Sequence, residues 1–278
     1  VNERSVTLEL TLADDATGSG VGAIALASTA IDCDTADYRE PTDALSWTLT
    51  AGDGGKTVAA CVRDRAGNVT PLSDTVTLDT VPPAGGLAVV GGTDVADPVL
   101  RVLVTRSSAD AAKMVLSEGI PDCAASLPDV LDDAEADFDA AEQRLDLGGD
   151  GAFTVSVCLF DEAGNSTRIS RSVNVDTVDP AGDLEINRGA TYTRSRDVTV
   201  YLSPSADVVE MKVEDVADAD AAPDCAALAG WLPLDLAYDH QLEDGEGAKY
   251  VRACVRYRAG NTALAPTDAA YAITLDRL

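Results

Sequence analysis

One short stretch occurs three times in this chain, and its spacing constrains the fold more than any other feature. The copies are Cys61-Val-Arg-Asp-Arg-Ala-Gly67-Asn68, Cys158-Leu-Phe-Asp-Glu-Ala-Gly164-Asn165 and Cys254-Val-Arg-Tyr-Arg-Ala-Gly260-Asn261. The glycines are 97 and 96 residues apart. A fixed period with a shared local pattern means tandem copies of one structural unit. Val58, Val62, Val155, Val157, Val251 and Val255 are β-branched and read as strand. The Gly-Asn pairs then supply the positive-φ residues of a tight turn. Each turn is followed by another apolar-alternating segment, ending at Leu78, Val175 and Leu275. The pattern predicts the last hairpin of a β domain, made three times.

A chain of 278 residues with this period fits three ordinary domains, 1–83, 84–180 and 181–278. Aromatic residues make up only 4%, so the cores rest on Val, Leu, Ala and Ile and need a staple. The six cysteines fall two per repeat, at Cys33/Cys61, Cys123/Cys158 and Cys225/Cys254. An even count spread evenly over the repeats argues for one disulfide per domain and an oxidising compartment. The rival readings are buried thiols or zinc ligands. Zinc has little behind it, with one histidine and no Cys-x-x-Cys in the chain. Acidic residues number 48 against 20 basic ones, a net charge of −28. That balance excludes a generic nucleic-acid binder, favours mutual repulsion between copies and permits divalent cations. No apolar run approaches the length of a membrane span.

The first repeat opens on a clean alternation, Val6-Thr-Leu-Glu-Leu-Thr-Leu12, followed by a strand from Val21 to Ala27. Trp47-Thr-Leu49 begins a third, and Asp79-Thr-Val-Pro-Pro83 closes the unit as a stiff boundary. The second repeat runs through Gly86–Val90, Val99–Val104 and Lys113–Leu116 to the boundary Asp176-Thr-Val-Asp-Pro180. Its longest insertion follows Cys123. There Leu127, Val130, Leu131, Ala134, Phe138 and Ala141 stand at helical spacing, so a short surface helix competes with an acidic loop over the sheet. The third repeat carries strands at Leu184–Ile186, Val198–Leu202 and Val208–Val213. Aligning Arg4-Ser-Val6 with Arg196-Asp-Val198 leaves the first repeat without the strand that precedes this segment in the other two. An open edge of that kind is a template for an extended segment of a neighbouring chain, and the alternative is that the strand belongs to residues upstream of Val1.

Taken together, Ser5-Val-Thr-Leu-Glu-Leu10, Gly18-Ser-Gly-Val21, Trp47-Thr-Leu49, Gly52-Asp-Gly-Gly-Lys-Thr-Val58, Arg63-Asp-Arg-Ala-Gly-Asn68 and Asp79-Thr-Val-Pro-Pro83 resemble the pattern of bacterial immunoglobulin-like repeat domains of large extracellular proteins. The resemblance implies an all-β chain of three tandem antiparallel β-sandwiches. The cysteines depart from the antibody pattern, in which a bridge joins the second and sixth strands across the sandwich. Here the first cysteine of each pair follows the third strand, so the bridge ties a loop to the neighbouring sixth strand.

No catalytic constellation repeats across the copies, and His240 is alone, read here as a surface residue matching Trp47 and Gln143-Arg144. Asp79, Asp176 and Asp276 stand before domain ends, with Asp179 and Asp183 beside the second junction. Such oxygen-rich junctions suit interdomain calcium, and the same aspartates also suit simple strand ends. No other cofactor is implied. Asn68-Val-Thr70 and Asn165-Ser-Thr167 match the glycosylation sequon, but the turn already explains the asparagines. Tyr38, Trp47, Phe138, Trp231 and Tyr238 lie in regions suited to glycan platforms, without a shared position. The expected function is a non-catalytic rod, stalk or filament subunit at the cell surface, self-associating or joined to neighbouring repeats. The alternative is an accessory carbohydrate- or ligand-binding module of a secreted enzyme.

Overall fold

The computed structural model describes residues 1–125 and 137–277, almost entirely as strands and loops. The first unit contains β1 (Ser5–Glu9), β2 (Val21–Ala27), β3 (Ala44–Thr48), β4 (Gly54–Asp64) and β5 (Val69–Leu78). The second contains β6 (Gly85–Val89), β7 (Asp94–Val95), β8 (Val99–Arg106), β9 (Lys113–Glu118), β10 (Gln143–Asp146), β11 (Gly151–Phe160) and β12 (Ser166–Val175). The third contains β13 (Gly182–Ile186), β14 (Tyr192–Thr193), β15 (Asp197–Pro204), β16 (Val208–Val216), β17 (Leu232–Pro233), β18 (Ala237–Gln241), β19 (Gly247–Tyr257), β20 (Thr262–Ala265) and β21 (Tyr271–Leu275).

Each unit has two sheets. In the second they run β10-β8-β6 and β7-β12-β11-β9, and in the third β13-β15-β18 and β14-β21-β19-β16-β17, with β20 on β19. Pairing is antiparallel except for the short contacts β7–β12 and β14–β21. Period-two alternation decides what faces inward. On β15, Val198, Val200 and Leu202 are buried while their neighbours are not, and Leu100, Val102 and Val104 do the same on β8. Facing sheets with this strand order and a shared aliphatic core are the immunoglobulin and fibronectin-type sandwich.

The first unit has the same frame with one place open. Its sheets are β1-β3 and β2-β4-β5. The β1–β3 register sets Val6 opposite Trp47, as Leu100 stands opposite Leu145 and Val198 opposite His240. On the other edge of this sheet, β6 sets Leu87 and Val89 against Val104 and Val102. Likewise β13 sets Leu184 and Ile186 against Leu202 and Val200. The matching row on β1 and beyond is Leu8 and Leu10, both half-exposed, with β3 on one side and no strand on the other among the described residues. The backbone enters all three units alike: the carbonyls of Val1, Val95 and Thr193 accept from the amides of Asp79, Asp176 and Asp276 at 3.0, 3.0 and 2.9 Å.

Two expectations change. Only the glycine of each Gly-Asn pair adopts positive φ, at 96°, 97° and 100° for Gly67, Gly164 and Gly260, whereas Asn68, Asn165 and Asn261 do not. The asparagine backbone pairs instead with the residue four before it, as in Asp64 N–H to Asn68 O at 3.0 Å, which is a turn closed by a left-handed glycine. The surface-helix expectation over 127–144 lies mostly outside the described residues. Its described remainder is not helical, because Asp137 bridges to Lys113 and Gln143 begins β10.

Candidate functional site

The three disulfides tie the same places. Cys33 lies in the loop after β2, and Cys123 and Cys225 begin helical turns after β9 and β16; they bond Cys61 on β4, Cys158 on β11 and Cys254 on β19. In each pair the two Cα atoms are 5.5–5.6 Å apart, inside the range an unstrained bridge needs. The aspartate before each loop cysteine has a local task. Asp32, Asp122 and Asp224 accept from the amides of Asp34, Ala124 and Ala226 at 3.0, 3.1 and 3.1 Å, pinning the turn that presents the sulfur.

Aromatic side chains over this face are covered by arginines. Arg63 stacks on Tyr38 at 3.9 Å, Arg106 on Phe138 at 5.0 Å and Arg256 on Trp231 at 4.4 Å. Arg63 and Arg256 each stand two residues after their half-cystine, so Tyr38 and Trp231 do share a position, contrary to the expectation. Trp231 also donates to the Leu228 carbonyl at 3.1 Å. Trp47 and Tyr238 are not loop platforms: both lie on strands and pack against the cores of their units. Each of the five expected platform rings is therefore stacked or packed.

The repeated asparagines have a role their turns do not explain. Asn165 donates through Nδ2 to the Asp79 carbonyl at 2.8 Å, across the first junction. Asn261 donates through Nδ2 to the carbonyls of Asp176 and Val178, both at 2.9 Å, across the second. These asparagines are only 9% and 8% exposed, whereas Asn68 is open to solvent. A glycan on Asn165 has no room. From its own unit each linker is held as well. Asp53 accepts from Thr80 N and Oγ1 at 3.1 and 2.9 Å, and Asp150 accepts from Thr177 N at 2.7 Å. The Thr177 hydroxyl and amide hold the Asp150 carboxyl below the usual carboxylate range. Pro83 and Pro180 are buried, although Pro82 between the units is exposed.

Carboxylates gather at the first junction. Asp79, Asp110 and Asp161 offer oxygens within 4.8 Å of one another, at a cavity of about 650 Å³ that Arg106 also lines. Asp110 and Asp161 were not among the expected ligands. Among the described residues Asp176, Asp179 and Asp183 join no such group. Asp161 is engaged by Asn165, whose amide and Nδ2 both donate to it at 2.8 Å, and Asp79 Oδ1 accepts from Val81 N at 3.1 Å. At the second junction Tyr257 stands where Asp161 stands in the first, its hydroxyl 2.7 Å from Ser205 Oγ. His240 is not a surface residue: its side chain is 13% exposed, with Nε2 3.3 Å from Asp215 Oδ1. Its structural counterpart in the second unit is Leu145, not Gln143-Arg144.

No protein-family model matches the chain, and no curated protein matches it. Similar solved structures include fibronectin(III)-like modules of Clostridium thermocellum CbhA, at 10% identity and TM-score 0.42, covering 68% of this chain and 93% of that one. A stretch of titin matches at 14% identity and TM-score 0.40, covering 99% and 95%. A 1.5-MDa bacterial ice-binding adhesin matches at 15% identity and TM-score 0.36, covering 99% and 91%. The strand order described above defines the class: tandem immunoglobulin- and fibronectin-type β-sandwiches.

Proposed function

We propose that this chain is a non-catalytic structural repeat segment, a rod or stalk, of a secreted or surface-displayed bacterial protein. Its domains are 1–83, 84–180 and 181–278. The observation that carries the reading is the double hold on each linker. Asp53 and Asp150 grip the linker threonines from one side, and Asn165 and Asn261 grip the linker carbonyls from the other. A side chain that the second and third units both spend on the preceding linker limits rotation between neighbours, which is what a spacing element needs. The junction calcium expected at Asp79, Asp176, Asp179 and Asp183 is not required for this, because amide donors already satisfy the linkers. One bridge per unit supports an oxidising, extracellular setting. The acidic surface supports solubility between neighbouring copies.

The carbohydrate-module reading loses support because the expected aromatic platforms are stacked under arginine or packed in the cores. Small-angle scattering of the oxidised chain tests the proposal. An elongated particle of fixed length is expected, shortening and broadening in its distance distribution when Asn165 and Asn261 are both changed to alanine. A compact particle, or one unaffected by the double change, overturns it.

A further inference from the structure

The three bridges are alike in their Cα spacing and unlike in their cover. The strand cysteines Cys61, Cys158 and Cys254 are 0%, 1% and 0% exposed, and Cys123 and Cys225 are each 7% exposed. Cys33 alone among the six is not buried. The loops account for this. Cys123 packs with Cys158, Phe160 and Val115 in an apolar cluster. Cys225 begins a helical turn lying against β20, and Lys212 Nζ fastens the loop beyond it by donating to the Ala229 carbonyl at 2.8 Å. Cys33 sits instead in a turn closed by Asp32, which accepts from Asp34 N at 3.0 Å and Thr35 Oγ1 at 3.1 Å, and all three of these residues are exposed. The flanking residues differ as well. Cys33 stands between Asp32 and Asp34, whereas Cys123 and Cys225 are followed by Ala124 and Ala226. With Asp37 and Glu40, four carboxylates belong to this loop, against Arg39 and, over the Tyr38 ring, Arg63.

We propose that Cys33–Cys61 is a thiol-exchange site, a redox latch on the first unit that a dithiol opens at the Cys33 sulfur while the other two bridges stay closed. Exchange needs a thiolate to reach one sulfur of the bridge, so a half-cystine open to solvent is where it starts. The thiolate attacks Cys33 Sγ, the S–S bond breaks, and its electron pair leaves on Cys61 Sγ, which then takes a proton. The second thiol of the reductant attacks the reductant sulfur now joined to Cys33. Cys33 leaves as the thiolate, the dithiol is oxidised to its own disulfide, and both cysteines are reduced. Opening frees the loop as far as Arg39, whose amide and carbonyl both pair with Ile24 at 2.9 Å. Tyr38 goes with it, since its hydroxyl donates to the Cys33 carbonyl at 2.9 Å and its ring lies under Arg63. The loop carboxylates select the reductant. A thiol bearing a further negative charge is repelled, and one bearing a positive charge is drawn in.

The test uses the intact oxidised chain at low ionic strength and three monothiols that perform the first step: cysteamine, mercaptoethanol and mercaptoacetate. Each rate is normalised to the same thiol acting on a small model disulfide. Free cysteines are trapped by alkylation, and adducts are placed by peptide mapping. The Cys33–Cys61 bridge is expected to open at least about tenfold faster than the other two, with the adduct on Cys33 and the free thiol on Cys61. Normalised rates are expected to fall from cysteamine through mercaptoethanol to mercaptoacetate, by roughly twofold per unit of charge. Asp34 is exposed and does not close the turn, so Asp34→Asn is expected to narrow that spread and leave the order of the bridges unchanged. With dithiothreitol added until one bridge has opened, amide exchange is expected to rise in the first unit alone. The proposal is overturned if the three bridges open at one rate or if another opens first. Adducts shared equally between Cys33 and Cys61 would mark unfolding of the whole unit and overturn it too. A charge order that Asp34→Asn leaves untouched would overturn the selection by the loop carboxylates.

Discussion

The first and third units share strand order, bridge and turn, yet their interiors differ. The third buries fourteen residues in one cluster, among them Leu184, Ile186, Val200 and Leu202. The first has a main cluster of three buried residues, Leu49, Val58 and Leu78, with Val6, Leu8, Leu26, Trp47 and Val76 only partly covered. Val62 and Val76 are half-buried where Val255 and Ile273 are closed off. The two sequences are comparably apolar along these strands. Among the described residues the third unit carries strands that the first does not, β13 among them, and Leu184 and Ile186 of that strand join the same buried cluster as Val200 and Leu202. Burial is thus a property of the filled sandwich and not of a strand's own alternation.

The largest test of this contrast is the disulfide. Replacing Cys33 and Cys61 together by serine removes a constraint worth about 3.5 kcal/mol in the chain-entropy model. With so small a core the first unit is expected to unfold at ambient temperature, while the matching change at Cys225 and Cys254 leaves the third folded but weaker. Limited proteolysis and calorimetry read the difference, and equal losses in both units would contradict it. Next in size are the core truncations. Ile186→Ala is expected to cost about 3 kcal/mol, as for a fully buried aliphatic. Leu10→Ala, at the half-exposed row, is expected to cost about 1 kcal/mol. Hydrogen exchange resolved by unit supplies both numbers, and a Leu10 effect as large as that of Ile186 would contradict the difference in burial.

Smaller effects belong to the repeated asparagines. Asn165→Ala and Asn261→Ala should each cost about 1 kcal/mol, seen as faster exchange at the junction amides. Asn68→Ala should leave every junction untouched, because its Nδ2 bonds only Asp64 within the same turn. The smallest expected effect is a pH dependence of that turn. The Asn68 side chain, with the turn amides, holds the Asp64 carboxyl below its ordinary range. A lowered folded value means the contribution is present above the carboxylate's unfolded range and is lost as pH falls through the folded value. Shifts of the Gly67 and Asn68 amides during acid titration follow it, and Asp64→Asn should remove the step.

Much of this was legible in the chain itself. Strand periodicity, the three bridges at Cys33–Cys61, Cys123–Cys158 and Cys225–Cys254 and the left-handed glycines all rest on local pattern or fixed period. Those signals are strong because each is written in neighbouring residues or repeated three times. The tertiary structure alone decided the rest. Asn165 and Asn261 belong to their own turns in sequence, and only the stacking of units brings their amides to carbonyls 83–86 residues away. Asp79, Asp110 and Asp161 come from three separate segments, so no spacing rule could have grouped them. Arg63 reaches Tyr38, and Arg256 reaches Trp231, because the bridge holds the loop over the neighbouring strand. His240 is sheltered by Asp215 on the other sheet, a contact set by how the two sheets close and not by the alternation of β18.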